Sequence, residues 1–267
     1  MPPVPLSNLR HLFLDMDGTV YLGSRLIPGA PEFVAYLRES GRRYLFFTNN
    51  PSADAAQYSA KLAGMGIDAG PDNILTAGEA TARYLAGDTP YRKVYVLGTP
   101  SFEEELCAAG LVLDGDSPDA VVLAFDKTLT YGKLERACLL LRAGIPYIAT
   151  NPDKVCPTDY GPIPDCGSMA ALLFEATGRR PKVIGKPNPE MIAMGMQKIG
   201  ARAGTSAMVG DRLYTDMQMA YNAGIASILV LSGESAPGDL EGMARRPDFV
   251  FESVRGLHAA LVEADRA

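Results

Sequence analysis

The sequence predicts an α/β protein whose sheets consist mainly of parallel strands. Short apolar runs rich in β-branched and aromatic residues alternate with helical patterns throughout the 267 residues. Runs such as Leu12–Leu14 and Tyr44–Phe47 are apolar without interruption, as a sheet covered on both faces requires. Several helical patterns end at a glycine, which is the preferred residue just beyond a helix C-terminus.

The predicted elements follow one another along the chain. Each strand is a short, mostly apolar run, and the predicted strands are His11–Leu14, Tyr44–Thr48, Lys93–Leu97, Ala120–Leu123, Tyr147–Ala149, Lys182–Ile184, Ala207–Val209, Ala226–Leu231 and Asp248–Phe251. Each helix has apolar residues at helical spacing, and the candidates include Pro31–Ser40, Ala53–Met65, Tyr131–Ala143, Pro189–Ile199 and Thr215–Ala223. Proline fits the start of the fourth helix, because the first turn leaves its N–H groups unbonded.

Length, charge and composition exclude several classes of protein. At about 150 residues per domain the chain holds ~1.8 domains, and the absence of an obvious linker suggests one domain inserted into another. A net charge of −6 provides no basic surface for nucleic acid. We expect no membrane span and no signal peptide. The four cysteines form no Cys-x-x-Cys pair, which indicates free thiols in the cytoplasm. The chain has only two histidines, so any metal should be bound by oxygen.

The strongest functional signal comes directly after the first predicted strand and reads Asp15-Met16-Asp17-Gly18-Thr19. In an open parallel sheet, reactive groups lie at the carboxyl ends of strands. Continued extended geometry would place Asp15 and Asp17 on one side of the chain, and Gly18 would then allow a sharp turn. Adjacent carboxylates repel unless a cation lies between them. The alternative is a solvated Asp-Gly turn.

Two further strand ends carry groups suited to phosphate. Thr48 and Asn49 precede a helix, where a hydroxyl and exposed backbone N–H groups form an anion site. Lys186 lies in the turn Gly185–Pro189 after another strand, where a lysine neutralises phosphate as a compact charge. Taken alone, Thr48 also fits a helix or turn cap, and Lys186 also fits a surface lysine in a proline-rich turn.

A fourth strand end contributes two more acids. Asp211 follows the strand Ala207–Val209, and Asp216 lies about one turn into the next helix. Asp216 alone also fits a cap or an acid at the positive end of that helix. Together, the four strand ends supply carboxylates, a hydroxyl and a lysine. This set predicts a Mg²⁺-assisted phosphoryl-transfer site with a carboxylate nucleophile.

These motifs, in this order, resemble those of haloacid-dehalogenase-superfamily phosphatases over nearly the whole chain. The extended forms around Thr48, Lys186 and Asp211 are similar to the NagD-like and p-nitrophenylphosphatase branch. The resemblance implies a doubly wound, Rossmann-like parallel-sheet core with a smaller inserted α/β cap domain. The core would comprise residues 1–78 and 182–267, and the cap would comprise residues 79–181.

The resemblance also implies catalytic roles. Asp15 is expected to attack phosphorus and form an aspartyl-phosphate. Asp17 is expected to protonate the leaving oxygen and then to deprotonate the water that cleaves the intermediate. Thr48, the backbone amide of Asn49 and Lys186 are expected to bind the oxygens of the transferring phosphoryl group.

A metal site follows from the same resemblance. Mg²⁺ is expected on the carboxylates of Asp15 and Asp211 and on the backbone carbonyl of Asp17, with waters completing its coordination. Asp216 is expected to orient one of those waters or Lys186.

The implied substrate is a small phosphorylated metabolite, such as a sugar or polyol phosphate, phosphoglycolate or p-nitrophenyl phosphate. A nucleotide of the UMP type and pyridoxal phosphate are alternatives. In similar enzymes the cap selects the leaving group, and the candidate residues here are Asn151, Asp153 and Tyr160, although a stiff surface loop fits each equally well. Similar enzymes often dimerise through their caps, so a homodimer of this kind is a further expectation.

Two other classes of protein share parts of the motif set. A phospho-accepting signalling module also combines Asp, Thr and Lys on a doubly wound sheet. It is much shorter and lacks the second acid of Asp-x-Asp. A phosphomutase would transfer phosphate to a sugar and release none.

Overall fold

The computed structural model describes residues 4–156, 158 and 161–266, which form two compact units. The first unit holds the residues up to Thr48, Tyr58–Leu75 and the residues from Ile192 onward. The second unit holds Asn49–Gln57 and Thr76–Met191. The short segment Asn49–Gln57 thus groups with the long insertion, although in the chain it follows the first unit directly.

Strands and helices alternate along the described chain. The strands are β1 (His11–Asp15), β2 (Tyr21–Leu22), β3 (Arg25–Leu26), β4 (Arg43–Thr48), β5 (Ile74–Thr76), β6 (Lys93–Leu97), β7 (Val112–Leu113), β8 (Ala120–Leu123), β9 (Tyr147–Ala149), β10 (Val155–Cys156), β11 (Ile163–Pro164), β12 (Lys182–Val183), β13 (Ser206–Gly210), β14 (Ala226–Val230) and β15 (Phe249–Phe251). The α-helices are α1 (Ala30–Glu39), α2 (Ala55–Gly64), α3 (Ala77–Asp88), α4 (Pro100–Ala108), α5 (Tyr131–Arg142), α6 (Cys166–Thr177), α7 (Pro189–Ile199), α8 (Gln218–Ala223) and α9 (Val254–Arg266). Within the described residues, none of these helices has the length and apolar character needed to cross a membrane.

The first unit is built on a six-stranded sheet of order β15-β14-β13-β1-β4-β5. β1 lies inside this sheet and pairs in parallel with β13 on one side and β4 on the other. The side chains of Leu12, Phe13 and Leu14 are fully buried, and burying each contributes roughly 1.5–3 kcal/mol to stability. Because the three strands are parallel neighbours, their carboxyl ends lie side by side at one edge of the sheet.

The second unit contains its own five-stranded sheet, of order β12-β9-β8-β6-β7. The paired strands run parallel, so each connection must cross over, and helices such as α4 and α5 make these crossovers. Buried apolar side chains of Leu97, Val121, Leu141 and Leu173 form part of one cluster in its core. A short antiparallel hairpin of β10 and β11 follows β9.

The predicted α/β class with parallel sheets is confirmed, and all nine predicted strands are present with ends within one residue. The predicted α-helix Thr215–Ala223 is wrong for its first three residues. Residues Leu213–Met217 form a π-helical turn, and the α-helix begins only at Gln218. The reason is local, because the N–H of Met217 bonds to the carbonyl of Arg212, five residues back.

An ion pair joins the C-terminal helix α9 to Arg42, the residue before β4. The buried guanidinium of Arg42 donates two hydrogen bonds of 2.7 Å to the carboxylate of Asp265 and a third, of 3.1 Å, to the carbonyl of Leu9. The hydroxyl of Tyr36 donates to the same carboxylate. Mainly because of the Arg42 hydrogen bonds, the pKa of Asp265 falls to about 2.

The variant Asp265→Asn is expected to lower the free energy of unfolding by about 2 kcal/mol at pH 7, because Arg42 loses its charged partner. The folded-state pKa lies below the unfolded value of about 4, so the stabilisation is present above that value and is lost as the pH falls toward 2. Urea unfolding of the wild type and the variant at pH 7 and pH 3 measures the loss of stability. The difference between their free energies of unfolding should be smaller at pH 3. The same difference at both pH values would contradict a charged origin.

Candidate active site

Three buried carboxylates meet at the carboxyl ends of β1 and β13. Asp15 is the last residue of β1, Asp211 directly follows β13, and Asp216 lies in the π-helical turn. The strand register pairs Leu14 with Val209, so the next residues of these two strands also lie side by side. One carboxylate oxygen from each acid lies within 4.8 Å of the other two. The structure therefore brings together three of the four predicted acids.

Glycines make this close approach sterically feasible. A Cβ atom on Gly18 or Gly233 would lie 2.3 or 2.0 Å from Oδ2 of Asp211, and Gly18 also has a φ of +92° that other residues rarely adopt. A Cβ on Gly210 would lie 2.3 Å from the carboxyl carbon of Asp216. Any larger residue at these positions would displace the acids.

Asp211 is the electrostatically strained member of the cluster. Its Oδ2 accepts a hydrogen bond of 2.7 Å from the N–H of Glu234, but its buried Oδ1 has no hydrogen-bond partner among the described residues. Burial, followed by the charges of Asp15 and Asp216, raises the pKa of Asp211 well above its ordinary value. A buried, unpaired carboxylate oxygen beside two other carboxylates is costly without a cation. This donor set fits a hard divalent cation such as Mg²⁺.

Asp17 and Thr48 lie close to these acids in the chain or the sheet. Asp17 is half-buried in a tight turn in which the N–H of Gly18 donates to the carbonyl of Tyr21 at 2.6 Å. Its side chain is outside the three-carboxylate cluster. Thr48 is the buried last residue of β4, one position beyond the residue that pairs with Asp15. Both therefore lie at the sheet edge where the sequence predicts them.

A second group of buried polar residues lies in the second unit. The side chains of Asn49, Asn151 and Asp153 are buried, as is Lys186. Oδ2 of Asp153 accepts hydrogen bonds from the side-chain amides of both Asn49 and Asn151. Asn49 also bonds the main chain of Lys186 on both its N–H and its C=O. The leaving-group role suggested for Asn151 and Asp153 stays a prediction, and Tyr160 lies outside the described residues.

Two features of these groups escape sequence reasoning. One is Gly233, which the sequence analysis does not single out. It lies two residues after the predicted strand Ala226–Leu231, so the rule that functional residues follow strand ends could have found it. Its neighbour Ser232 donates a hydrogen bond of 2.7 Å to the carbonyl of Gly18. The side chain of Asn49 is the other, because the sequence suggests a phosphate contact only for its backbone amide.

Comparisons with known proteins agree with this arrangement. A family model described as haloacid dehalogenase-like hydrolase matches residues 12–112, and an HAD-hydrolase-like model matches residues 183–257. A relative from Staphylococcus aureus, acid sugar phosphatase, is 35% identical over 262 residues, covering 98% of this chain and 100% of its own. Both comparisons span the four motifs.

Solved structures of phosphatases are similar to this chain over nearly its whole length. The 4-nitrophenylphosphatase of Thermotoga maritima is 47% identical, with a TM-score of 0.92 over 96% of this chain and 98% of its own. A glycerol phosphate phosphatase of Mycobacterium tuberculosis, solved in complex with magnesium, is 35% identical, with a TM-score of 0.88 over 96% of this chain and 78% of its own. NagD proteins are similar as well. This chain is therefore a phosphatase of the haloacid dehalogenase-like hydrolase family, in the branch of NagD and the p-nitrophenylphosphatases.

Proposed function

We propose that this phosphatase hydrolyses small-metabolite phosphomonoesters of the sugar phosphate, polyol phosphate, phosphoglycolate or p-nitrophenyl phosphate type through an aspartyl-phosphate. The observation that carries the proposal is the position of Asp15, at the end of β1, among buried acids of which Asp211 keeps an unpaired oxygen. With a cation bound beside it, a carboxylate in this position would be placed to attack an electrophilic phosphorus. The acid sugar phosphatase and nitrophenylphosphatase relatives support this substrate class.

The reaction divides between two carboxylates. An oxygen of Asp15 bonds to phosphorus while the bond from phosphorus to the leaving oxygen breaks, and Asp17 gives that oxygen its proton. Water then attacks the same phosphorus, Asp17 takes up a proton from the water, and Asp15 leaves as a free carboxylate. In this scheme Asp17 is protonated before the first step, is a carboxylate between the two steps and is protonated again after the second.

Mg²⁺ would be held by Asp15, Asp211 and the backbone carbonyl of Asp17. When bound, it supplies positive charge that screens the clustered carboxylates from each other and from the phosphate. Asp216 accepts a hydrogen bond of 3.1 Å from the N–H of Arg212, which fixes its carboxylate beside the other two. We assign it the task of orienting a water of that site.

The hydroxyl of Thr48, the backbone amide of Asn49 and the ammonium of Lys186 would bind the oxygens of the transferred phosphoryl group. Such fixed donors act mainly by positioning the group and stabilising charge that develops during transfer. Thr48 and Asn49 are consecutive residues, so one turn of chain would supply two of these contacts.

The second unit is proposed to be the cap that selects the leaving group, with residues 79–181 as its main part. Nucleotides of the UMP type and pyridoxal phosphate stay as alternative substrates.

A homodimer formed through this unit is a separate proposal, which sedimentation velocity can test. The four cysteines, all in the described part of the chain, form no disulfide, which favours action in the reducing cytoplasm. The signalling-module alternative is dropped, because the matching family is one of hydrolases.

The variant Asp17→Asn tests the proton-transfer role. It should lose about 10²- to 10⁴-fold in kcat on an alkyl phosphate, because the leaving alkoxide then receives no proton. The loss should be smaller on p-nitrophenyl phosphate, whose leaving group is stable as an anion. Steady-state kinetics on both substrates measures the ratio, and equal losses on the two would argue against Asp17 as the acid.

The substrate class is tested by phosphate release across a panel of sugar, polyol, carboxylic-acid, pyridoxal and nucleotide monophosphates, with and without Mg²⁺. The proposal predicts the highest kcat/KM on a sugar, polyol or small acid phosphate. A nucleotide or pyridoxal phosphate that exceeds all of these by tenfold would replace the proposed class with the alternative. Transfer of phosphate to sugar without release would indicate a mutase.

A further inference from the structure

The side chain of Asn49 holds the main chain of Lys186 at two points. Lys186 follows the short strand β12 and lies beyond its ladder of hydrogen bonds. Its N–H donates a hydrogen bond of 2.8 Å to Oδ1 of Asn49, and its C=O accepts one of 3.1 Å from Nδ2 of the same residue. The preceding N–H, of Gly185, donates to the carbonyl of Thr150 at 2.7 Å. The amide of Asn49 thus completes a two-point clamp on the peptide groups of Lys186.

The clamp works in only one orientation of the Asn49 amide. Its nitrogen donates to the carbonyl of Lys186 and also, at 2.8 Å, to Oδ2 of Asp153. A flipped amide would place oxygen against that carboxylate and against the Lys186 carbonyl, so two acceptors would face each other at both contacts. Asp153 therefore selects the orientation in which Asn49 can hold Lys186.

Asp153 is itself fixed by buried neighbours. Its Oδ2 also accepts a hydrogen bond of 3.0 Å from Asn151, whose oxygen accepts one of 2.7 Å from Thr150. The carbonyl of Asp153 accepts a hydrogen bond of 2.7 Å from the N–H of Gly167, where a Cβ would lie only 2.2 Å from the carbonyl of Pro152. Asn151 and Asp153 are 1% and 5% exposed, which leaves them little surface for a leaving group.

We propose that Asn49 and Asp153 are positioning residues for Lys186, acting through the main chain of the lysine and not through contact with the leaving group. This inference rests on the proposed phosphate-binding role of Lys186. A lysine on a loosely held turn could approach the phosphoryl group in many arrangements, whereas a clamped peptide fixes the base of its side chain. Misplacing a catalytic group by about 1 Å can cost about 100-fold in rate.

The first test compares deletion with conservative replacement. Asn49→Asp puts an acceptor where the clamp needs a donor, and Asp153→Ala removes the acceptor that orients Asn49, so each should lower kcat by about 100-fold. Asp153→Asn keeps an oxygen that can accept from both amides, and it should retain kcat within about threefold of the wild type. Asn188→Ala is the matched control, because it removes an amide from the same turn that bonds Gly185 and not Lys186.

Substrate dependence separates positioning from leaving-group recognition. Lys186 is proposed to touch the transferred phosphoryl group, so Asp153→Ala should lower kcat by the same factor on p-nitrophenyl phosphate, a sugar phosphate and a polyol phosphate. A loss that differs by more than tenfold among them would overturn the proposal in favour of leaving-group contact. Loss of activity in Asn188→Ala as large as that in Asp153→Ala would also overturn it, in favour of general damage to the turn.

A double-mutant cycle links the effect to Lys186 itself. In a Lys186→Ala background, adding Asn49→Asp or Asp153→Ala should cause no further loss, because the side chain to be positioned is gone. Full additivity would overturn the inference. If Lys186→Ala alone keeps wild-type activity, the proposed phosphate-binding role fails. If Lys186→Ala is inactive while both clamp variants are fully active, only this inference fails.

Discussion

The variant Asp15→Asn is expected to lose at least about 10³-fold in phosphate release while remaining folded. An amide cannot act as the nucleophile, and it also weakens the cation site. Removal of one negative charge from the cluster with Asp211 and Asp216 should relieve repulsion, so without divalent cations the variant should melt at or above the temperature of the wild type. Phosphate release, together with thermal unfolding in a chelator, measures both effects.

The matched control for this variant is Asp72→Asn, which changes an exposed aspartate of the same unit. It should leave both activity and unfolding unchanged. Substantial turnover by Asp15→Asn would refute its role as nucleophile. A lower melting temperature in chelator would contradict the view that the three acids repel each other in the cation-free protein.

Removal of divalent cations is expected to abolish activity and to lower stability. The three carboxylates lie within 4.8 Å of one another, and Oδ1 of Asp211 has no partner in the described part of the chain, so a bound cation removes an unfavourable interaction. At a Mg²⁺ concentration 100 times its dissociation constant, binding adds about 2.7 kcal/mol. For a chain of this size that corresponds to roughly 5–10 °C in melting temperature.

The control for the cation prediction is Asp211→Asn. This variant should lose most of the Mg²⁺-dependent rise in melting temperature, while in chelator it should be at least as stable as the wild type. Thermal unfolding over a Mg²⁺ titration shows the crossover. A wild-type melting temperature that does not change with Mg²⁺ would contradict the proposal that these acids bind the cation, even if activity depends on Mg²⁺.

The sequence was sufficient for the fold class and for the acid cluster because both depend on local signals. A short apolar run followed by an acid marks a strand end, and parallel pairing of β1 with β4 and β13 then brings those ends together. The strand-end rule places Asp15 and Asp211 at one edge of the sheet. The pairing of β1 with β13 in the structure makes them neighbours there.

Features that depend on contacts between distant residues could not be predicted. Asn49 and Lys186 are separated by 137 positions, and no local pattern tells that an asparagine after a strand will clamp a later turn. The π-helical turn at Leu213–Met217 is another case, because its apolar spacing fits an α-helix while its hydrogen bonds to Arg212 widen the turn. Six strands of two or three residues, β2, β3, β5, β7, β10 and β11, were not predicted, although β9 and β12, which are equally short, were.

The covalent role of Asp15 is tested most directly by trapping. Borohydride reduces an acyl phosphate to an alcohol, so an aspartyl-phosphate becomes homoserine. Enzyme mixed with p-nitrophenyl phosphate, quenched with borohydride during turnover and analysed by peptide mass spectrometry should carry homoserine at position 15 only. Omission of substrate should leave Asp15 unchanged. Reduction at another carboxylate, or rapid turnover with no reducible residue, would contradict the account.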